Sequence, residues 1–125
     1  AIRARAPAAE SGASVRVNVL FVCSRNRRRS PTAERIFADR VETDSGGLAP
    51  DADVPLSVDQ VQWADIVVVM EKKPRSRLTR RFGRQLAGRR VVCLDIADRY
   101  DLMQPELIDL LERRMAPQLR GRIAR

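Results

Sequence analysis

Segments of strand length, most of them apolar, alternate along the chain with segments whose apolar residues recur at helical spacing. The strand-like runs are 17–22, 41–44, 65–70 and 91–94, and the helical segments begin at Ser30-Pro31 or cover 57–63, 74–86 and 105–115. Most of the strand-like runs are continuously apolar, so both of their faces require cover. Alternating strands and helices of this kind predict βαβ units. We therefore expect an α/β fold with a four-stranded, mostly parallel sheet.

The 125 residues are enough for one domain and too few for two. Residues 1–15 contain arginines but no apolar run long enough for a signal peptide, so we interpret them as a flexible N-terminal tail. Residues 16–116 are predicted to form the domain, and 117–125 a basic C-terminal tail. No stretch reaches the roughly 18 apolar residues of a membrane span. We expect no membrane partner.

Composition adds a strong positive charge. The net charge is +8, and all but two of the 24 basic residues are arginines. Anions are the expected partners, either phosphorylated substrates or nucleic acid. The chain has no histidine, which excludes Ser-His-Asp and Cys-His catalytic groups and His-based metal sites. Proton transfer must then depend on Asp, Glu, Cys or Tyr.

The two cysteines, Cys23 and Cys93, form neither a zinc motif nor a C-x-x-C pair. Both lie at hydrophobic, strand-like segments, which favours reduced thiols in a cytoplasmic compartment. Cys93 has no polar neighbours that suggest chemistry, and we interpret it as a thiol of the core. Cys23 differs, because an arginine-rich loop follows it.

The segment from Cys23 to Ser30 has the features of a phosphate-binding loop. It connects a strand to a helix for which Ser30 is the predicted N-cap and Pro31 the first residue. Backbone N–H groups of such a loop can converge on one anion, and the helix N-terminus adds positive potential. That potential favours the thiolate form of Cys23, while the Arg29 guanidinium can bind two phosphate oxygens. Asn26 tolerates the left-handed backbone that a tight loop requires.

This loop resembles the motif V-C-x-x-N-x-x-R-S-P-x-A-E of the low-molecular-weight protein tyrosine phosphatases, matched here by 22–34. Further similarities are D-S-G-G at 44–47, the W-A-D strand at 63–70 and D-I-A-D-R-Y at 95–100, in the family's order from 17 to 115. The resemblance implies a three-layer α/β/α fold with the phosphate loop after the first strand. It also implies hydrolysis of phosphomonoesters through a phosphocysteine intermediate, with no metal or cofactor. The expected substrate is a phosphotyrosine protein or a small aryl phosphate.

The same resemblance assigns roles to individual residues. Cys23 is the expected nucleophile, Arg29 the phosphate-binding residue and Asp98 the general acid, with Asp95 as the alternative acid. Ser30 is expected to stabilise the thiolate. The expected substrate-binding residues are Ser24, Arg25, Asn26, Arg27, Arg28, Ser30 and Tyr100.

The chain also departs from the family's pattern. Arg25 replaces the usual glycine, Arg28 the usual second cysteine, and Arg99 the proline that follows the acid. The segment 45–63, part of which normally frames the substrate cleft, is shorter, although Ser45 still matches a serine that supports the loop from behind. These differences bear on substrate preference. The chain is most similar to a short bacterial or phage branch of the family.

Three other functions remain open from the sequence. A non-catalytic module could hold phosphate or nucleic acid with the same loop, although we favour nucleic acid less as a partner. A thiol-dependent arsenate reductase needs further cysteines, and Cys93 is the one candidate. A sugar-phosphotransfer component would carry phosphate on the cysteine, and such a loop does not need Arg29.

Overall fold

Four parallel strands and four helices alternate in the part of the chain that the computed structural model describes, residues 16–119. Along the chain they are β1 (Asn18–Cys23), α1 (Arg29–Ile36), β2 (Glu42–Gly47), α2 (Val58–Trp63), β3 (Ile66–Val69), α3 (Lys72–Phe82), β4 (Arg90–Cys93) and α4 (Pro105–Leu119). The strands pair in the order β2-β1-β3-β4, and every pair is parallel. The four-stranded parallel sheet predicted from the sequence is confirmed.

Helices cover both faces of this sheet and make it the middle of three layers. On one face, Val19 and Phe21 of β1 pack with α1 and α4, and on the other face Leu20 and Val22 pack with α2 and α3. Successive side chains of a strand point to opposite faces. The central strand β1 therefore supplies both cores, which explains why its sequence is continuously apolar rather than alternating.

Strand β2 is longer than its sequence predicts. The sequence predicts a strand over 41–44, followed by Ser45-Gly46-Gly47, whose residue types are typical of a turn, whereas all three of these residues belong to β2. The two glycines lie opposite Val22 and Cys23 of β1, so their backbone groups pair with the central strand. This pairing outweighs the local preference of a Ser-Gly-Gly sequence for a turn.

Two helices also differ in length from the prediction. Helix α3 begins two residues before the predicted start at 74 and ends at Phe82, although Leu86 beyond it is still buried. Helix α4 continues through Pro117 to Leu119, into the segment predicted as a tail, because Leu119 extends the buried stripe of the helix. The predicted tail at 1–15 and the segment 120–125 lie outside the described residues. Within 16–119, no helix has the length and apolar character needed to cross a membrane.

The strand order creates a switch point at the carboxyl end of β1. Strand β2 lies on one side of β1, and β3 lies on the other side. The loop after β1 therefore leads toward one edge of the sheet, and the loop after β3 leads toward the opposite edge. In sheets of this kind, ligands bind at such a point. Backbone hydrogen bonds fix the neighbouring loops: Leu48 N–H donates to the Cys23 carbonyl at 3.1 Å and Met70 N–H donates to the Val22 carbonyl at 3.1 Å.

Candidate active site

The loop at the switch point curls back on the thiol of Cys23. Cys23 is the last residue of β1 and is 3% exposed. The backbone N–H of Asn26 donates a hydrogen bond to its Sγ at 3.2 Å. Asn26 is buried and has a φ of 57°, the left-handed conformation that asparagine adopts more readily than most residues. The turn thus directs a backbone donor at the sulfur.

A cavity opens beside this sulfur, and six of the predicted site residues line it. They are Cys23, Arg25, Arg27, Arg28, Arg29 and Asp98. Four cations and one carboxylate make this cavity suited to anions. Its position at the carboxyl edge of the sheet follows from the topology.

Arg29 is the most firmly held of the cavity arginines. Its side chain is 2% exposed, and its Nη1 donates to the Glu71 carboxylate and to the Ile96 carbonyl, both at 2.7 Å. Glu71 lies between β3 and α3, and Ile96 follows β4, so two neighbouring loops of the sheet edge fix the guanidinium. Such charge-assisted hydrogen bonds are short and directional. Arg29 is consequently fixed in orientation without contact from a ligand.

Asp98 approaches the same guanidinium from the loop after β4. Its Oδ1 lies 3.8 Å from the Arg29 Nε, and its side chain is 55% exposed. Asp95, the alternative acid, is exposed, has a φ of 57° and is not among the residues that line the cavity. Of the two carboxylates weighed from the sequence, Asp98 is the one that lines the same cavity as Cys23.

Hydrogen bonds at both ends hold the segment that carries Asp98. At its start, Arg114 of α4 donates to the Leu94 carbonyl at 2.6 Å. At its end, the Met103 N–H donates to the Thr32 hydroxyl at 3.0 Å, and this hydroxyl donates to the Arg28 carbonyl at 2.6 Å. The segment is therefore linked through Thr32 to the loop that contains the nucleophile candidate.

Ser30 is not the N-cap that the sequence predicts. Helix α1 begins at Arg29, two residues before the predicted first residue Pro31, and its N-cap residue Arg28 provides no side-chain cap. The Ser30 hydroxyl is fully buried and has no hydrogen-bond partner within residues 16–119. Because buried hydroxyls in proteins are usually paired, this one is available to an anion or thiolate in the loop.

Three further residues named from the sequence do not line the cavity. Ser24 is half-buried, and its carbonyl accepts from the Ala49 N–H at 2.7 Å. Tyr100 packs against the core on the α1 and α4 side, and its hydroxyl accepts from Arg99 at 3.4 Å. Ser45 is buried in β2 and donates to the Glu34 carboxylate at 2.5 Å, so it supports α1 rather than the loop.

The shortened segment after β2 contributes two carboxylates that the sequence analysis missed. Asp53 pairs with Arg27 at 3.1 Å, and Asp51 lies 3.7 Å from Arg25. The Asp53 N–H also donates to the Arg25 carbonyl at 3.0 Å. The charges in the sequence could have indicated these pairs, because this acidic segment follows β2, and β2 is adjacent to the strand that precedes the arginine-rich loop. Glu71 was missed as well, although it directly follows β3 at the same sheet edge.

Both cysteines are free thiols, as the sequence predicts. Cys93, at the end of β4, is half-buried and packs against the core on the α2 and α3 side. Among the described residues, no three His, Cys, Asp or Glu side chains are grouped to hold a metal ion.

Solved bacterial phosphatase structures superpose on this chain. The tyrosine phosphatase AmsI from Erwinia amylovora gives a TM-score of 0.68 at 21% identity, over 90% of this chain and 97% of that chain. The YwlE arginine phosphatase from Geobacillus stearothermophilus gives 0.65 at 22% identity, over 82% and 92%. The tyrosine phosphatase Wzb from Escherichia coli K30 gives 0.67 at 18% identity, over 82% and 96%. The chain has the low-molecular-weight phosphatase fold.

This phosphatase fold confirms, at the level of architecture, the resemblance seen in the sequence. It accounts for the order of the strands and for the loop placed after β1. The sequence itself matches no family model and no curated protein.

Proposed function

We propose that this protein is a phosphomonoester hydrolase that acts on phosphotyrosine in proteins through a phosphocysteine intermediate on Cys23. The convergence of Cys23, Arg29 and Asp98 in one cavity carries the proposal. The fold shared with tyrosine phosphatases supports it. The free thiols of Cys23 and Cys93 fit a cytoplasmic location.

In the first step, the phosphate lies in the loop and the Cys23 thiolate attacks the phosphorus. A P–S bond forms while the P–O bond to the leaving group breaks. The Asn26 N–H already directed at Sγ stabilises the thiolate, and the buried Ser30 hydroxyl can do the same. The Arg29 donors not used by Glu71 and Ile96 bind phosphate oxygens and stabilise the charge that develops on them.

Asp98 transfers the protons in both steps. Its protonated carboxyl gives a proton to the departing oxygen, so the leaving group departs as a neutral alcohol or phenol. The resulting carboxylate then accepts a proton from water as the water oxygen attacks phosphorus. The P–S bond breaks, the Cys23 thiolate is regenerated, and inorganic phosphate leaves.

Phosphoarginine is a second candidate substrate. The structures similar to this chain include YwlE arginine phosphatase at 22% identity as well as tyrosine phosphatases. A phosphoarginine peptide would use the same nucleophile and the same phosphate-binding loop. Turnover of matched phosphotyrosine and phosphoarginine peptides distinguishes the two classes.

The test is hydrolysis of para-nitrophenyl phosphate by the full chain at mildly acidic pH with a reductant. We expect turnover by the wild type, its loss in Cys23→Ser, and its retention in the matched control Cys93→Ser. Absence of wild-type turnover together with tight phosphate or vanadate binding would leave a non-catalytic phosphate-binding module. Nucleic-acid binding, if that is the function, would survive Cys23→Ser and weaken steeply with salt.

A further inference from the structure

The arginines around the cavity differ in whether a carboxylate neutralises them. Arg25 and Arg27 pair with Asp51 and Asp53 from the segment after β2. Arg29 pairs with Glu71 and lies near Asp98. Arg28 alone among the four has no carboxylate oxygen within 4 Å in residues 16–119. It is also exposed, so its guanidinium is the cation of this cavity that a substrate can recruit.

The backbone beneath Arg28 is held in place. Its carbonyl accepts from the Thr32 N–H at 3.0 Å and from the Thr32 hydroxyl at 2.6 Å. Arg28 is adjacent to Arg29 in sequence, and both side chains line the cavity that contains the Cys23 thiol. An anionic group close to the reacting phosphate would therefore meet the Arg28 guanidinium.

We propose that Arg28 binds an aspartate or glutamate side chain next to the phosphotyrosine, so that the protein prefers acidic phosphopeptides. This inference rests on the proposed phosphatase function. One unpaired guanidinium matches one carboxylate. A long polyanion such as nucleic acid fits less well, because Asp51, Asp53 and Asp98 are exposed around the same cavity and would repel its backbone.

The experiment compares two phosphotyrosine peptides of equal length. One has acidic residues on either side of the phosphotyrosine, and the other has the corresponding amides. We expect the wild type to have a kcat/KM about two- to fivefold higher for the acidic peptide at low salt, the size of an exposed ion pair. The ratio should fall toward one as salt screens the pair.

Substitutions of Arg28 test whether this residue causes the preference for the acidic peptide. In Arg28→Gln the ratio of the two kcat/KM values should approach one, and in Arg28→Glu it should fall below one. The matched control is Arg35→Gln, because Arg35 is an exposed arginine of α1, the helix that follows Arg28, and it also lacks a carboxylate within 4 Å in residues 16–119. This control should keep the wild-type ratio.

The outcomes separate the inference from the proposed function. Equal kcat/KM for both peptides in the wild type overturns the role of Arg28 and leaves the phosphatase intact. An equal drop of the ratio in Arg35→Gln also overturns it, since the preference would then come from overall charge. If no peptide is hydrolysed, the same test is made by binding. The affinities of the two peptides are measured for Cys23→Ser and for the double variant Cys23→Ser/Arg28→Gln, and the preference for the acidic peptide should be present in the first protein and absent from the second.

Discussion

The guanidinium of Arg29 donates a hydrogen bond to the Glu71 carboxylate at 2.7 Å. Arg29 is 2% exposed, while the Glu71 side chain is 39% exposed. A buried arginine with this partner keeps one orientation. Glu71 does not line the cavity, so it acts as a positioning residue for the proposed phosphate-binding group.

Replacing Glu71 by glutamine should therefore impair binding of the phosphate. Glutamine keeps an acceptor oxygen for Arg29 but removes the negative charge, and this loss, discounted for the exposure of Glu71, predicts a fall of up to about tenfold in kcat/KM for para-nitrophenyl phosphate. The control is Glu112→Gln, because Glu112 forms a pair of the same length, 2.7 Å, with Arg40 away from the cavity. Steady-state kinetics, together with the affinity for inorganic phosphate, measures the effect. Equal losses in both variants would show that Glu71 contributes only stability.

Asp98 is expected to matter most for substrates with poor leaving groups. Asp98→Asn removes the proton donor, so the loss of kcat should be roughly 100-fold for phenyl phosphate. It should be smaller for para-nitrophenyl phosphate, whose phenolate departs with less help. Comparison of kcat for the two substrates in each variant measures this.

Asp95→Asn is the matched control for Asp98. Asparagine tolerates the φ of 57° at this position. The variant should keep kcat within about twofold, as for an ordinary surface change. A larger loss in Asp95→Asn than in Asp98→Asn would assign the acid to Asp95 instead.

Gly47 permits the close approach of β2 to the phosphate loop. A Cβ at this position would lie 2.6 Å from the Ser24 carbonyl oxygen and 3.0 Å from the Arg25 carbonyl carbon. Gly47→Ala must displace this loop, so we expect a destabilisation of about 1–3 kcal/mol and a lower kcat/KM in the protein that remains folded.

Gly46→Ala is the control that distinguishes a general loss of stability from a displacement of the phosphate loop. A Cβ there would meet Gln60 Oε1 and Leu56 Cδ1, each at 2.9 Å, and not the phosphate loop. Urea unfolding and kinetics on both variants should show a loss of stability in each. The loss of activity per folded molecule should occur in Gly47→Ala alone, and the same loss in Gly46→Ala would contradict this role for the loop contact.

Local sequence patterns predicted most of the fold. Continuous apolar runs identified β1, β3 and β4, and the helical patterns identified the helices, while β2 was predicted only as a short strand over 41–44. The errors lie where long-range contacts override local preference. The Ser45-Gly46-Gly47 sequence favours a turn but pairs with β1, and Ser30 has the chemistry of an N-cap but is buried within the first turn of α1.

The candidate site was predictable where its residues are close together in the sequence. Cys23, Asn26 and Arg29 lie within one loop, and their residue types indicate phosphate chemistry. Glu71 and Asp53 were not predictable, because their partners Arg29 and Arg27 lie 42 and 26 positions away in the sequence. Such pairings depend on the strand order, which places the loops after β2 and β3 on either side of the loop after β1.

The most direct test of the account is detection of the covalent intermediate. Wild-type protein and the Cys93→Ser variant are mixed with para-nitrophenyl phosphate, quenched within one turnover, digested and analysed by mass spectrometry. The account predicts phosphate on the peptide that contains Cys23 in both proteins, and none in Cys23→Ser. Turnover without a phosphorylated Cys23 peptide, or with phosphate on another residue, would contradict it.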